Sequence, residues 1–171
     1  KIYKSEGDWY LIQTPDQYIS WVDHGGLEPM SEQDFSRWKS VQKLIFLGTY
    51  GNSYAMPNMD SQTVSDLVAG DILERIGEEG DFYQVSYPDG RKAFVNKNTS
   101  KPYEEWLTSI KPTQESLVAT SKTLMGLPYL WGGTSPKGVD CSGYTKTIYF
   151  LNGMVIPRDA SQQIATGKKI D

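Results

Sequence analysis

Two stretches of the chain alternate apolar and polar residues in the same order. "EGDWYLIQTPDQYISWV" (6–22) and "EGDFYQVSYPDGRKAFV" (79–95) stand at a fixed offset of 73 and share Glu, Gly, Asp, Tyr, Pro, Asp and Val. Aromatic positions match too, Trp9 with Phe82 and Trp21 with Phe94. Alternation on both sides of a Pro-Asp turn predicts a β-hairpin in each stretch. Asp89-Gly90 supplies the turn chemistry of the second directly, because glycine takes positive φ without steric cost. Upstream, "SQTVSDLVAGDILERIGEEGDFYQV" (61–85) reads as short strands punctuated by Gly70, Gly77 and Gly80. Together these predict a small all-β barrel of roughly sixty residues that starts near Lys43.

The two copies are unequal. Residues 43–78 precede the second hairpin, but only residues 1–5 precede the first. The first barrel is therefore expected as a C-terminal remnant over residues 1–30, with Lys1 inside a domain, and the second as a whole unit over 43–100. Between them, "SEQDFSRWKSV" opens with a Ser31-to-Asp34 capping pattern and places Phe35, Trp38 and Val41 along one face. It predicts a short connecting helix within 31–42. "KNTSKPYEEWLTSIKPT" (97–113) holds two Lys-Pro pairs, so 101–112 is expected to be an interdomain connector with one helical turn. From Thr113 to Leu124 a helix is predicted, with Leu117, Val118 and Leu124 on one side and Gly126 at its end.

A last helix carries the chain's single cysteine, in "VDCSGYTKTIYF" (139–150). Asp140 is a good N-cap, Tyr144, Ile148 and Leu151 form one stripe, and Asn152-Gly153 stops the helix. Cys141 then lies in the first turn, where free N–H groups and the helix dipole favour an anion and hence the thiolate. The residues alone leave a second reading open, a free cysteine packed as a small hydrophobe. Asp159-x-x-Gln162 is a further capping-box pattern, opening a short helix.

Composition narrows the classes. The chain has 171 residues, a net charge of −4 and 38% hydrophobic residues, enough for packed cores in one or two small domains. No stretch concentrates the Lys and Arg needed to neutralise phosphates, so nucleic acid is not expected as a partner. No apolar run approaches membrane-spanning length. One cysteine excludes an internal disulfide framework, and one His with one Cys makes a poor ligand set, so no metal or other cofactor is expected. The chain opens on Lys1 without a leader pattern, which suits a processed or excised piece of a longer protein.

Three ordered motifs bring these readings together: Tyr129-x-Trp131-Gly132-Gly133, Asp140-Cys141-Ser142-Gly143, and Pro157-Arg158-Asp159-Ala160-Ser161 followed by Gln162. They resemble the NlpC/P60 family of papain-like cysteine peptidases over Thr113 to about Gln163, and the barrels resemble bacterial SH3 domains that accompany such enzymes. The resemblance implies an α+β chain: SH3-like small β-barrels, then the N-terminal helical part of a papain-like domain (113–171), truncated. It points to the branch that cleaves the γ-D-glutamyl-L-diamino acid bond of peptidoglycan stem peptides, with L-Ala-γ-D-Glu-diamino acid as substrate and the cell envelope, periplasmic or secreted, as compartment.

The same resemblance implies roles for individual residues. Cys141 is the nucleophile that forms an acyl-enzyme, its own N–H helping to hold the oxyanion. Tyr129 stands beside it as a hydrogen-bond donor, against the alternative of a packed aromatic. Trp131 walls the groove, or packs over Gly132-Gly133, which let backbone approach substrate. Asp140 and Ser142 contact the stem peptide, and Asp159 binds the free amino group of its terminal L-Ala. Arg158 pairs with a substrate carboxylate or is a solvated charge, the commoner fate of a lone arginine. Tyr18 leans over the substrate's N-terminal side or is a surface hairpin tyrosine. The family's histidine base and its orienting group follow the cysteine on strands outside this chain, whose one histidine, His24, is expected to be a surface loop residue. A C-terminal remainder is therefore expected, as a companion fragment, as a disordered or proteolysed part, or as a part not included in this chain. Two other readings stand beside the endopeptidase: a non-catalytic cell-wall binding module, and acyltransferase or amidase chemistry on the same fold.

Overall fold

The computed structural model describes residues 1–168. The first hairpin copy belongs to an antiparallel sheet of order β1-β2-β3, with β1 (Ile2–Glu6), β2 (Trp9–Gln13) and β3 (Ile19–Asp23). A 3-10 turn, His24–Gly26, follows. Helix α1 (Glu32–Ser40) then starts where Ser31 accepts the Asp34 N–H, as its capping pattern predicts.

The second unit contains β4 (Lys43–Phe46), β5 (Tyr50–Tyr54), β6 (Thr63–Val68), β7 (Ile72–Glu79), β8 (Phe82–Ser86), β9 (Lys92–Asn96) and β10 (Ser100–Pro102). They form one seven-stranded sheet of order β10-β4-β7-β8-β9-β5-β6. Its alternating inward positions meet in a core of Leu44, Phe46, Leu67, Leu73, Val85, Ala93 and Val95. Burial of this apolar face is the main drive for the unit to close.

The repeat holds in three dimensions. Trp9 pairs with Asp23 as Phe82 pairs with Asn96, and the register stays matched through Gln13–Ile19 and Ser86–Lys92. The bulge recurs as well, between Ile2 and Lys4 in β1 and between Arg75 and Gly77 in β7. A 3-10 turn follows each copy, the second at Lys97–Thr99. Within these residues the first copy has no counterpart of β4, β5 and β6. None of its strand residues is fully buried.

The connector expected over 101–112 is more ordered than its Lys-Pro pairs suggest. β10 pairs with β4, and α2 (Tyr103–Ser109) is anchored by buried Trp106, whose ring packs against Tyr103 and Phe150. That aromatic anchor outweighs the flanking prolines. Helix α3 (Gln114–Thr123) opens on a Thr113–Ser116 capping box and delivers Leu124 into the interior.

A two-stranded turn, β11 (Thr134–Ser135) with β12 (Gly138–Val139), leads into α4 (Cys141–Leu151), and α5 (Ala160–Gln163) follows. Helix α4 docks on α3 through the Tyr144 hydroxyl, which donates to the Ser121 carbonyl at 2.7 Å, and through Asn152, which donates to Thr120 Oγ1 at 2.9 Å. The whole is α+β. Residues 169–171 of the expected peptidase segment lie outside the described residues.

Candidate active site

The site is organised around the N-cap of α4. Asp140 Oδ1 accepts the Gly143 N–H at 2.8 Å and the Ser142 hydroxyl at 3.1 Å, while Oδ2 accepts the Gly132 N–H at 3.0 Å. Arg158 grips the same carboxylate with both ends of its fork, Nη2 donating to Oδ2 at 2.7 Å and Nη1 to Oδ1 at 3.2 Å. Nη1 also donates to Ser142 Oγ at 2.7 Å. The side chains of Arg158 and Asp140 are only 11% and 9% exposed. Arg158 is thus a buried partner of the cap and not a solvated charge, because a bidentate carboxylate offsets the cost of removing its guanidinium from water. Gln163 completes the clamp, its Nε2 donating to the carbonyls of Ser142 at 3.0 Å and Pro157 at 2.8 Å.

This arrangement fixes charge. The Arg158 guanidinium, with the Gly143 and Gly132 amides and the Ser142 hydroxyl, overcomes burial and holds the Asp140 carboxyl far below the usual carboxylate range. Asp140 in turn raises the Arg158 guanidinium, with smaller contributions from Asp159 and Tyr18. The cap is therefore anionic at neutral pH, with both of its oxygens hydrogen-bonded.

Glycines bring the other motif alongside. A Cβ on Gly133 would lie 2.2 Å from the Gly138 carbonyl oxygen, and one on Gly143 would lie 2.0 Å from the Gly133 oxygen. Gly133 thus has no room for a side chain because backbone packs against it, whereas Gly132 has open space around its Cβ direction and φ +82°. Leu130 N–H donates to the Val139 carbonyl at 3.0 Å, and Tyr129 bridges to Val139 in parallel. The segment 128–133 consequently runs along the strand that ends at Asp140. Its side chains stay outside the core: Tyr129 is 68% and Trp131 86% exposed. Neither packing alternative describes them. Cys141 is exposed at the first residue of α4, with its amide among those that lack an intrahelical partner.

The remaining expected residues are placed as follows. Asp159 is the N-cap of α5, but its side chain makes no cap hydrogen bond, so the carboxylate is not consumed by the helix. Tyr18 is half-buried in the turn between β2 and β3. His24 lies in the 3-10 turn of the first copy with its side chain 63% exposed. Three features were not found from sequence: the Arg158–Asp140 pair, the Gln163 clamp, and an ion pair between Asp16 and Lys146 that joins the first hairpin to α4. Each joins residues far apart in sequence, and no local spacing signals it.

The chain is similar to known proteins over the segment that carries these motifs. Residues 126–171 match the model of the NlpC/P60 family. A "Gamma-D-glutamyl-L-lysine dipeptidyl-peptidase" of Bacillus cereus is 28% identical over 99% of this chain and 53% of its own length. A protein of the same name from Bacillus subtilis is 38% identical over 58% of this chain and 32% of its own. The crystal structure of an NlpC/P60 family protein from Bacillus cereus superposes with a TM-score of 0.82 at 30% identity, covering 100% of this chain and 58% of that one. The chain therefore spans about half the length, or less, of these relatives. The chain is thus similar to NlpC/P60 proteins, and its residues 126–171 match that family's model.

Proposed function

We propose that this chain is part of a cell-wall cysteine peptidase that cleaves the γ-D-glutamyl-L-diamino acid bond of peptidoglycan stem peptides. The observation that carries the reading is an exposed Cys141 at the start of a helix whose cap is locked by Asp140, Ser142 and Arg158. In this reading Cys141 attacks the carbonyl of the isopeptide bond and forms a thioester, releasing the amino group of the diamino acid. Water then hydrolyses the thioester to free the acyl dipeptide. The Cys141 N–H points at the oxyanion that develops between these steps. The relatives' names favour lysine as the diamino acid and removal of a dipeptide from the free end.

The roles of the surrounding residues divide by exposure. Trp131, Tyr129, Asp159 and Tyr18 face the substrate, with Trp131 as a wall and the Asp159 carboxylate as the group for a substrate ammonium. Asp140, Ser142 and Arg158 support the helix start from beneath, since their polar atoms are bonded to one another. The imidazole base comes from residues outside this chain, because His24 sits in the first barrel unit with its side chain largely in solvent. The N-terminal units are read as one partial and one complete SH3-like barrel, and the compartment as the cell envelope. Among the described residues no helix is long and apolar enough to cross a membrane.

The test uses the protein carrying the whole NlpC/P60 domain, incubated with L-Ala-γ-D-Glu-L-Lys and followed by mass spectrometry. Release of L-Ala-γ-D-Glu that falls at least about 10³-fold in Cys141→Ala supports the reading. Release unchanged by that substitution, or binding with no release, overturns it.

A further inference from the structure

We propose that Gln163 is a positioning residue for the cysteine site: its side-chain amide holds the turn that carries Asp159 against the first turn of α4. It thereby fixes where that carboxylate stands relative to the Cys141 thiol. The segment after α4 has few other supports. From Gly153 to Lys168 no residue is buried, so apolar packing contributes little to its placement. Regular structure contributes little as well, because α5 has four residues and the cost of nucleating a helix is not recovered over one turn. Its N-cap, Asp159, adds no side-chain cap bond.

Gln163 joins the two elements through both of its amides. Its backbone N–H donates to the Asp159 carbonyl at 2.9 Å. Its side-chain Nε2 donates to the Pro157 carbonyl at 2.8 Å and to the Ser142 carbonyl at 3.0 Å, with the Arg158 carbonyl a weaker third acceptor at 3.4 Å. Ser142 directly follows the thiol residue, and Pro157 and Arg158 lead into Asp159. One side chain thus spans from the peptide unit beside the thiol to the backbone that presents the carboxylate. A side-chain NH2 offers two hydrogens to a group of carbonyl oxygens. Methionine, with no donor, and glutamate, whose carboxylate would face those oxygens, cannot do the same at that length.

Arg158 is the segment's other tie, but it acts at a different point. Its guanidinium reaches Asp140 and Ser142 Oγ from the end of a flexible stem and fixes a side-chain tip, whereas Gln163 fixes main-chain carbonyls. The start of α4 is held without Gln163, since Asp140 Oδ1 accepts the Gly143 N–H and the Asp140 carbonyl accepts the Tyr144 N–H at 2.8 Å. Loss of the Gln163 bonds therefore displaces the Asp159 turn and not the thiol.

The catalytic readout rests on the peptidase reading above and on the role given there to Asp159; the structural readout does not. In the protein carrying the whole domain, Gln163→Met, Gln163→Glu, Asp159→Asn and the double exchange of Gln163→Met with Asp159→Asn are assayed on L-Ala-γ-D-Glu-L-Lys. Each Gln163 variant should raise KM about tenfold and lower kcat less than about threefold, because a displaced binding group weakens binding more than the chemical step. The double variant should match Asp159→Asn alone to within about twofold in kcat/KM, since a residue that acts through Asp159 then has nothing left to position. Hydrogen exchange at the Gln162 and Ile164 amides should run about tenfold faster in Gln163→Met, with Tyr144 unchanged. Costs of the two single substitutions that simply add in the double variant overturn the proposal. So does a Gln163→Glu variant with the wild-type KM, or unchanged exchange in α5. A wild type that does not cleave the peptide sinks the peptidase reading alone, and the exchange rates then decide whether Gln163 holds the segment.

Discussion

The chain contains one hairpin twice, and the two copies differ in surroundings more than in backbone. Pairing register, bulge position and the trailing 3-10 turn are the same. Yet Val85 and Val95 of the second copy are 0% exposed, while their counterparts Ile12 and Val22 are only half-buried and Trp9 and Trp21 are exposed. Register is a local property, set by turn chemistry and strand alternation. Burial is supplied by partner strands, here β4 to β6, which only the second copy has. The first copy instead makes its distant contact by charge, through Asp16 and Lys146.

The largest effect expected from this difference lies in the core. Val85→Ala removes two methyl groups from a sealed site and should cost about 2–3 kcal/mol, the transfer term plus a cavity. Ile12→Ala removes more carbon at the matching position but should cost under about 1 kcal/mol, because that site already meets solvent. Urea unfolding of the 171-residue chain, followed by circular dichroism, measures both. An equal loss at Ile12 would show that something covers the first copy after all.

Charge separates the two turns next. Burial pushes the Asp16 carboxyl up, but hydrogen bonds and charge from Lys146, together with the Thr14 hydroxyl, outweigh it and leave it below its ordinary value. A carboxyl depressed on folding stabilises the fold above its unfolded pKa, near 4, and loses that contribution as pH falls through the folded value. Asp16→Asn should therefore cost about 1–2 kcal/mol at neutral pH, less than a fully buried pair because Lys146 is partly solvated. The gap from wild type should close as the pH is lowered past 4. Asp89→Asn, whose carboxylate is bonded in an exposed turn, should leave the unfolding midpoint unchanged. A gap at Asp16 that persists in acid would assign its role to shape and not to charge.

What was legible in the sequence follows the same division between local and distant. The hairpins, the caps at Ser31 and Asp140, and the stop at Gly153 are encoded within a few residues, and each forms as expected. The connector's expected helical turn is present as part of α2, but its anchoring is not legible, because Lys-Pro pairs are local signals while Trp106 acts through tertiary packing. Arg158 looked like a surface charge for the same reason, since its partner lies 18 residues upstream. The backbone of Gly138 and Gly143 packed against Gly133 is likewise a distant constraint that its sequence neighbours do not signal. The motifs pointed to the family whose model matches residues 126–171, but the clamp beneath the cysteine becomes visible only when the chain is folded.

The smallest effect concerns the two turns themselves. Gln17 has φ +67° and Gly90, at the same place in the second turn, φ +85°. Left-handed backbone costs an ordinary L-residue about 1 kcal/mol or more, and glycine almost nothing. A Cβ at Gly90 would meet nothing within 4 Å, so Gly90→Gln isolates the conformational cost and should lower Tm by about 2–4 °C. Gln17→Gly should raise it by less, about 1 °C, because glycine's larger unfolded-state entropy offsets part of the relief. It also removes the exposed Gln13–Gln17 side-chain bond at 3.0 Å, a minor loss. Calorimetry of the single and double exchanges reads both signs. Opposite signs mean that the turns are interchangeable backbones with different residues imposed on them. If both substitutions destabilise, Gln17 contributes something its twin does not, and its strain belongs with Asp16 to the contact that the hairpin makes on α4.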